Sequence, residues 1–132
     1  MSGEKDLKLL LQHMRPELNA GTYVFCLCTK EELDQLAFRE VLFCFREEEG
    51  TTAVVHKHIA DAAGLKYSYI CAWITLRVYS SLAAVGLTAA FSTALAQAGI
   101  SCNVVAAYHH DHLFVPVQDA AQAMQVLSSL SS

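Results

Sequence analysis

His109, His110, Asp111 and His112 follow one another directly and form the densest run of chemistry-bearing side chains in the chain. Neutral imidazole and carboxylate can ligate zinc, copper or nickel. Consecutive residues of a tight turn do not converge on one ion, and a turn with Asp111 as its Asx former explains the same string. His13, His56 and His58 have no spacing that completes a ligand set, so no metal is expected here. A second candidate runs from Ser80 and Ser81 through Val85 to Gly86 and Leu87, where a strand hands over to a helix. Unpaired N–H groups and the dipole at a helix start favour a carboxylate. Gly86 allows close approach to the backbone, and either serine could bond a ligand or simply cap the helix. Asn103, in the following strand, is expected beside that helix start, where its amide suits an amino-acid head group. On this reading Gly86→Val removes binding while the fold survives, because Gly86 lies outside the apolar helix stripe.

Other chemistries find little in the chain. There is no Gly-x-Ser-x-Gly elbow and no phosphate-cradling loop. Cys102 lies next to Asn103 but among apolar neighbours, and reads as an inert thiol. No catalytic residue and no cofactor are expected, and the chain is not expected to be an enzyme. Cys26 and Cys28 face the same way on a strand, but their spacing lacks the second pair of a zinc site. The five cysteines, an odd number, suit a reducing compartment, and a cytoplasmic location is expected. The chain's start has no basic, then apolar, leader. No apolar run approaches the ~20 residues of a membrane span. The net charge is -4 with no Lys/Arg cluster, which argues against nucleic acid as a partner. The chain is 54% hydrophobic and only 17% charged, apolar enough to point to a homo-oligomer.

The elements that must position these residues follow from periodicity. Leu7, Leu10, Leu11 and Met14 mark a short amphipathic helix ended by Pro16. Residues 22–28, 41–45 and 51–56 read as strands, with a hairpin turn over 46–50. Ile59 to Ala63 reads as a helix stopped by Gly64. From Ile70 to Tyr79 the residues alternate: Ala72, Ile74, Leu76 and Val78 share one face, and Trp73, Thr75, Arg77 and Tyr79 share the other. That mixed second face reads as a contact surface. Leu87, Phe91, Ala94, Leu95 and Ala98 form a helical stripe closed by Gly99. Strands over 100–108 and 112–117 flank the histidine turn, and Asp119 is placed to cap a last helix carrying Ala120, Ala123, Met124, Leu127 and Leu130. The second half is thus β-α-β-β-α, which predicts an α+β two-layer sandwich with an antiparallel sheet. Two lobes are expected, residues 1–69 and 70–132.

The ordered set Gly86-Leu87, Phe91, Leu95-Ala96, Gly99-Ile100 and Asn103 resembles the signature of ACT modules. The string from Ser80 to Val117, with Thr22–Cys26 and Phe38–Glu47 in the first half, is similar to a family of small bacterial proteins with two ACT modules. The carboxyl-terminal part is also similar to ACT modules of animal arginine sensors. The resemblance implies a ferredoxin-like fold with tandem ACT-like lobes. It also implies a regulatory protein that binds a small molecule, expected to be an amino acid, at the strand-to-helix turn; the candidate ligand residues are Ser80, Ser81, Val85, Gly86, Leu87 and Asn103, with His110, Asp111 and His112 of the hairpin placed to close over them. A homodimer is expected in which two carboxyl-terminal lobes meet. The alternatives are an assembly module without ligand, or a metal-binding or small hydrolytic protein using the His109–His112 hairpin.

Overall fold

The computed structural model describes residues 6–78 and 84–131, and it divides into two compact units, residues 21–71 and residues 1–20 together with 72–132. In the first unit the chain order is β2 (Tyr23–Cys28), α2 (Lys30–Asp34), β3 (Phe43–Glu47), β4 (Gly50–His56), α3 (Lys57–Ala63) and the first half of β5 (Lys66–Arg77). The strands lie in the order β3-β4-β2-β5, each pair antiparallel. This is the βαββαβ pattern in which the first and third strands are central. Val24, Cys26, Cys28, Ala53 and Val55 turn one face toward Ala60 of α3, and Leu33 and Leu36 pack against the same cluster. On the other face Phe25 meets Phe43 and Tyr69 edge-on, with ring centres 6.0 and 5.7 Å apart. Thr29 caps α2 through a capping box with Glu32. Gly64 ends α3 in the left-handed conformation at φ 68°, the one of these two features that the sequence predicts.

The second unit has the same pattern with its fourth strand taken from earlier in the chain. It contains α1 (Leu7–His13), β1 (Arg15–Leu18), the second half of β5, α4 (Leu87–Gln97), β6 (Asn103–Ala106), β7 (Asp111–Pro116) and α5 (Ala120–Ser129). β6 pairs with β7, β7 lies beside β5, and β1 pairs with β5 so that Leu18 faces Ile74 and Arg15 faces Arg77. The sequence reading ended the first helix at Pro16 and saw no strand there. Pro16 in fact sits in β1, opposite Leu76. β1 lies off the main strand path and pairs only with β5 among the described residues, a place where a residue without an N–H is tolerated. The predicted alternation along β5 holds: Ala72, Ile74, Leu76 and Val78 are buried with Leu87, Phe91 and Leu95 of α4, Leu113 and Val115 of β7, and Ala123 and Leu127 of α5. Asp119 does not cap α5 with its side chain. It closes a 3-10 turn over Val117–Asp119 instead, and its backbone lacks the extended conformation that aims a capping oxygen at the helix start.

Candidate functional site in the second unit

The side chains of β5 that turn away from the helices carry the polar chemistry of the second unit. Trp73, Thr75 and Arg77 alternate with the buried row, and the register places Glu17 of β1 opposite Thr75. Arg77 grips Glu17 in a fork, Nε to Oε2 and Nη2 to Oε1, both at 3.1 Å. That contact holds the Glu17 carboxyl below its ordinary range. Just beyond β1, the backbone N–H of Asn19 donates to the Trp73 carbonyl at 2.9 Å. Its side-chain amide donates to the Thr75 hydroxyl oxygen at 3.0 Å.

β7 brings His112 onto this row. The indole N–H of Trp73 donates to His112 Nδ1 at 3.0 Å, and Thr75 Oγ1 lies 3.2 Å from the same nitrogen. An indole nitrogen only donates, so Nδ1 accepts, and the neutral ring carries its proton on Nε2. Burial, then His110, then Arg77 lower the His112 pKa. The neutral form is therefore the one the site is built for.

Asp111 opens β7, and its side chain points to the opposite face, the one shared with Leu113 and Val115. Asp111 is only 9% exposed. Burial raises its pKa above the ordinary 3.8, partly offset by His110. The buried Nδ1 of His110 has no hydrogen-bond partner among the described residues. The hairpin is closed by the Ala107 N–H donating to the His110 carbonyl at 3.0 Å. Because the folded pKa of Asp111 lies above its unfolded value, the ionised carboxylate costs stability at neutral pH. Asp111→Asn is accordingly expected to raise stability at pH 7 by about 0.5–2 kcal/mol, a common gain when a strained functional group is relieved. The gain should shrink as the pH falls and be gone by about pH 3, below the ordinary 3.8, where the acid is neutral in both states. Urea titrations at the two pH values check this, and a loss of stability at pH 7 would count against it.

Gly86 precedes α4 at φ +100°, and the first helical bond runs from the Ala90 N–H to its carbonyl at 2.9 Å. A Cβ built on Gly86 would lie 3.2 Å from Leu7 Cδ2. Leu87 is buried in the core, and Val85 is 84% exposed. Ser80 and Ser81 lie outside the described residues. The chain leaves β5 at Arg77 and must return along α4 to enter β6 at Asn103. Gly86 and the hairpin therefore belong to one end of the unit and Asn103 to the other. Asn103 is exposed, opposite Phe114, while Ala106 pairs with Asp111 at the hairpin end. His110, Asp111 and His112 thus lie at the end of the unit from which α4 sets out after Gly86, and Asn103 at the other, while Asp111 and His112 turn to opposite faces of β7. Trp73, Thr75, Asn19 and the Arg77–Glu17 pair join the His112 side of the site. The alternation along β5 hinted at Trp73, Thr75 and Arg77, and nothing local hinted at Glu17 or Asn19.

Among the described residues no three His, Cys, Asp or Glu side chains are grouped so as to hold a metal ion. Burial pushes the thiols of Cys26 and Cys102 up to about 11 and that of Cys71 up to about 12, so these are protonated at neutral pH. None of the helices among the described residues is long and apolar enough to cross a membrane.

Residues 2–72 match one family described as an ACT domain, and residues 68–129 match a second family with the same description. No curated protein sequence matches the chain. A crystal structure from Vibrio cholerae, described as a protein of unknown function and possible transport protein, is 49% identical, covers 96% of both chains and has a TM-score of 0.86. The regulatory subunit of aspartate kinase from Thermus thermophilus, in a ligand-free form, shares the fold at 13% identity and a TM-score of 0.68, covering 87% of this chain and 95% of that one. The regulatory subunit from Thermus flavus does so at 11% identity and a TM-score of 0.63, covering 90% and 97%. With two ferredoxin-like units and a match over more than half its length, the chain belongs to the ACT domain family.

Proposed function

We propose that this protein is a ligand-sensing regulatory protein and that its second unit receives a small amino acid at the hairpin end. The observation that carries this reading is Asp111. A nearly buried carboxylate whose pKa burial raises stores an unfavourable charge that an ammonium group would neutralise. The start of α4, with N–H groups that no helical carbonyl meets, suits the ligand's carboxylate. The regulatory subunits among its structural relatives support the same class of function. No residue is assigned a catalytic role. Exposed Phe38 and Phe45, 96% and 68% accessible, support association with a second copy, through residues 21–71 rather than through the carboxyl-terminal lobe.

The test is a thermal-shift screen over amino acids and purines, because a ligand that binds only the folded state stabilises it by mass action. At a hundredfold excess over its Kd, a binder should add about 2.7 kcal/mol. Asp111→Asn, itself expected to be more stable than the parent, should lose the response to the same amino acid. An amino-acid response unchanged by Asp111→Asn would place the site elsewhere, and no response at all would favour an assembly module without ligand.

A further inference from the structure

Two donors aim at His112 Nδ1, and they differ in what they can do when the ring takes up a proton. The Thr75 hydroxyl can rotate, although its oxygen already accepts from Asn19 at 3.0 Å. The Trp73 indole N–H has no lone pair to offer. A protonated imidazole carries a hydrogen on both nitrogens, so at 3.0 Å two N–H groups would point at each other. The contact can exist only while His112 is neutral.

We propose that the Trp73–His112–Thr75 contact is a proton-operated latch that holds the start of β7 to β5 at neutral pH and releases it in mild acid. The latch stands on geometry and is independent of the ligand reading above. The charged and titratable groups around it all bear on its sign. His110 in the hairpin and Arg77 on β5 add positive charge and oppose protonation. Glu17 on β1 is an acid on this face, but it is committed to Arg77. Asp111 turns to the other face of β7. From β6 the residue opposite His112 is Val105, which does not titrate. The folded pKa thus lies below the ordinary 6.5. A histidine shifted in this direction leaves stability intact above 6.5 and reduces it as the pH falls from there through the folded value. Opening the latch should loosen the hairpin at residues 107–110 first, since one bond, Ala107 N–H to the His110 carbonyl, closes it.

The experiment uses the whole chain and two signals. Trp73 is the chain's one tryptophan, so its fluorescence and its indole N–H resonance both report on the contact. Expected is a change in both as the pH falls from neutral into acid, with a midpoint below 6.5 that coincides with titration of the His112 imidazole by NMR. Over the same range the exchange protection of the Ala107 amide should fall by about tenfold relative to His112→Gln, a change typical of local opening. His112→Gln keeps an acceptor for Trp73 and should abolish the transition, whereas Asp111→Asn and Glu17→Gln should retain it. A transition that survives His112→Gln, or that disappears in Asp111→Asn, overturns the latch. Should His112→Gln not fold, the parent decides. Coincident midpoints for the imidazole and the indole N–H support the latch, and separate midpoints, or an imidazole midpoint at or above 6.5, overturn it.

Discussion

Phe91→Ala is expected to cost about 3–5 kcal/mol, the range for removing a fully buried aromatic side chain. Phe91 is at the middle of α4 and fully buried in a cluster with Ile74, Leu76, Leu113 and Leu127. It therefore joins both central strands to both long helices of the second unit. Domains of this size are stable by only about 5–15 kcal/mol, so the loss takes a large part of what holds the unit folded. Urea unfolding followed by Trp73, which lies in the same unit, measures it directly. Phe38→Ala provides the contrast. Phe38 is 96% exposed, and its removal should change the stability of a single chain by no more than about 0.5 kcal/mol. A loss below about 1.5 kcal/mol for Phe91→Ala would mean that α4 is not seated on the sheet as described.

Gly86→Val is expected to cost about 2–3 kcal/mol, at the upper end of what a strained backbone residue stores. Two effects add. At φ +100° a β-branched side chain crowds its own backbone, and the new Cβ lies 3.2 Å from Leu7 Cδ2, so the end of the Leu7 side chain must give way slightly. Gly86→Ala meets the same backbone penalty without the branch and should cost about 1–2 kcal/mol. Denaturant midpoints for the two variants, with unchanged m-values, check the ordering. The sequence argument that the fold tolerates valine here rested on Gly86 lying outside the apolar stripe. It missed that α4 begins from a left-handed residue packed against Leu7. Binding measured in Gly86→Val would therefore mix loss of site with loss of fold, which makes Asp111→Asn the cleaner probe.

The parts of the fold legible in the sequence were those whose signal is local. The stripe of Leu87, Phe91 and Leu95 and the alternation from Ala72 to Val78 each need only a few turns or a single strand to show themselves, and both faces are as expected. β1 is four residues long and contains Pro16. Its identity as a strand comes from partners at residues 74–77, so no window around it could reveal it. The site divides in the same way. The histidine string drew attention because of its composition, yet what defines His112 is an indole 39 residues earlier and a threonine 37 residues earlier. Asn103 looked like a strand interior because its neighbours are apolar. It opens β6 at the edge of the sheet order, where an exposed amide needs no ligand to satisfy it.

β5 serves twice, as the last strand of residues 21–71 and as the first strand of the other unit, whose remaining strand lies upstream at residues 15–18. The two units therefore close over very different stretches of chain. Residues 21–71 are contiguous, and all their pairings can form once β5 has begun. The other unit must bring Glu17 to Arg77, 60 residues away. Closing a longer loop adds little to the equilibrium cost, about 0.6 kcal/mol per doubling, but long-range pairing slows folding markedly. The contiguous unit is then expected to fold first. The docking of residues 15–18 along β5 is expected to come last, and until it occurs the outer edge of residues 74–77 would stand open to any other strand that reaches it first.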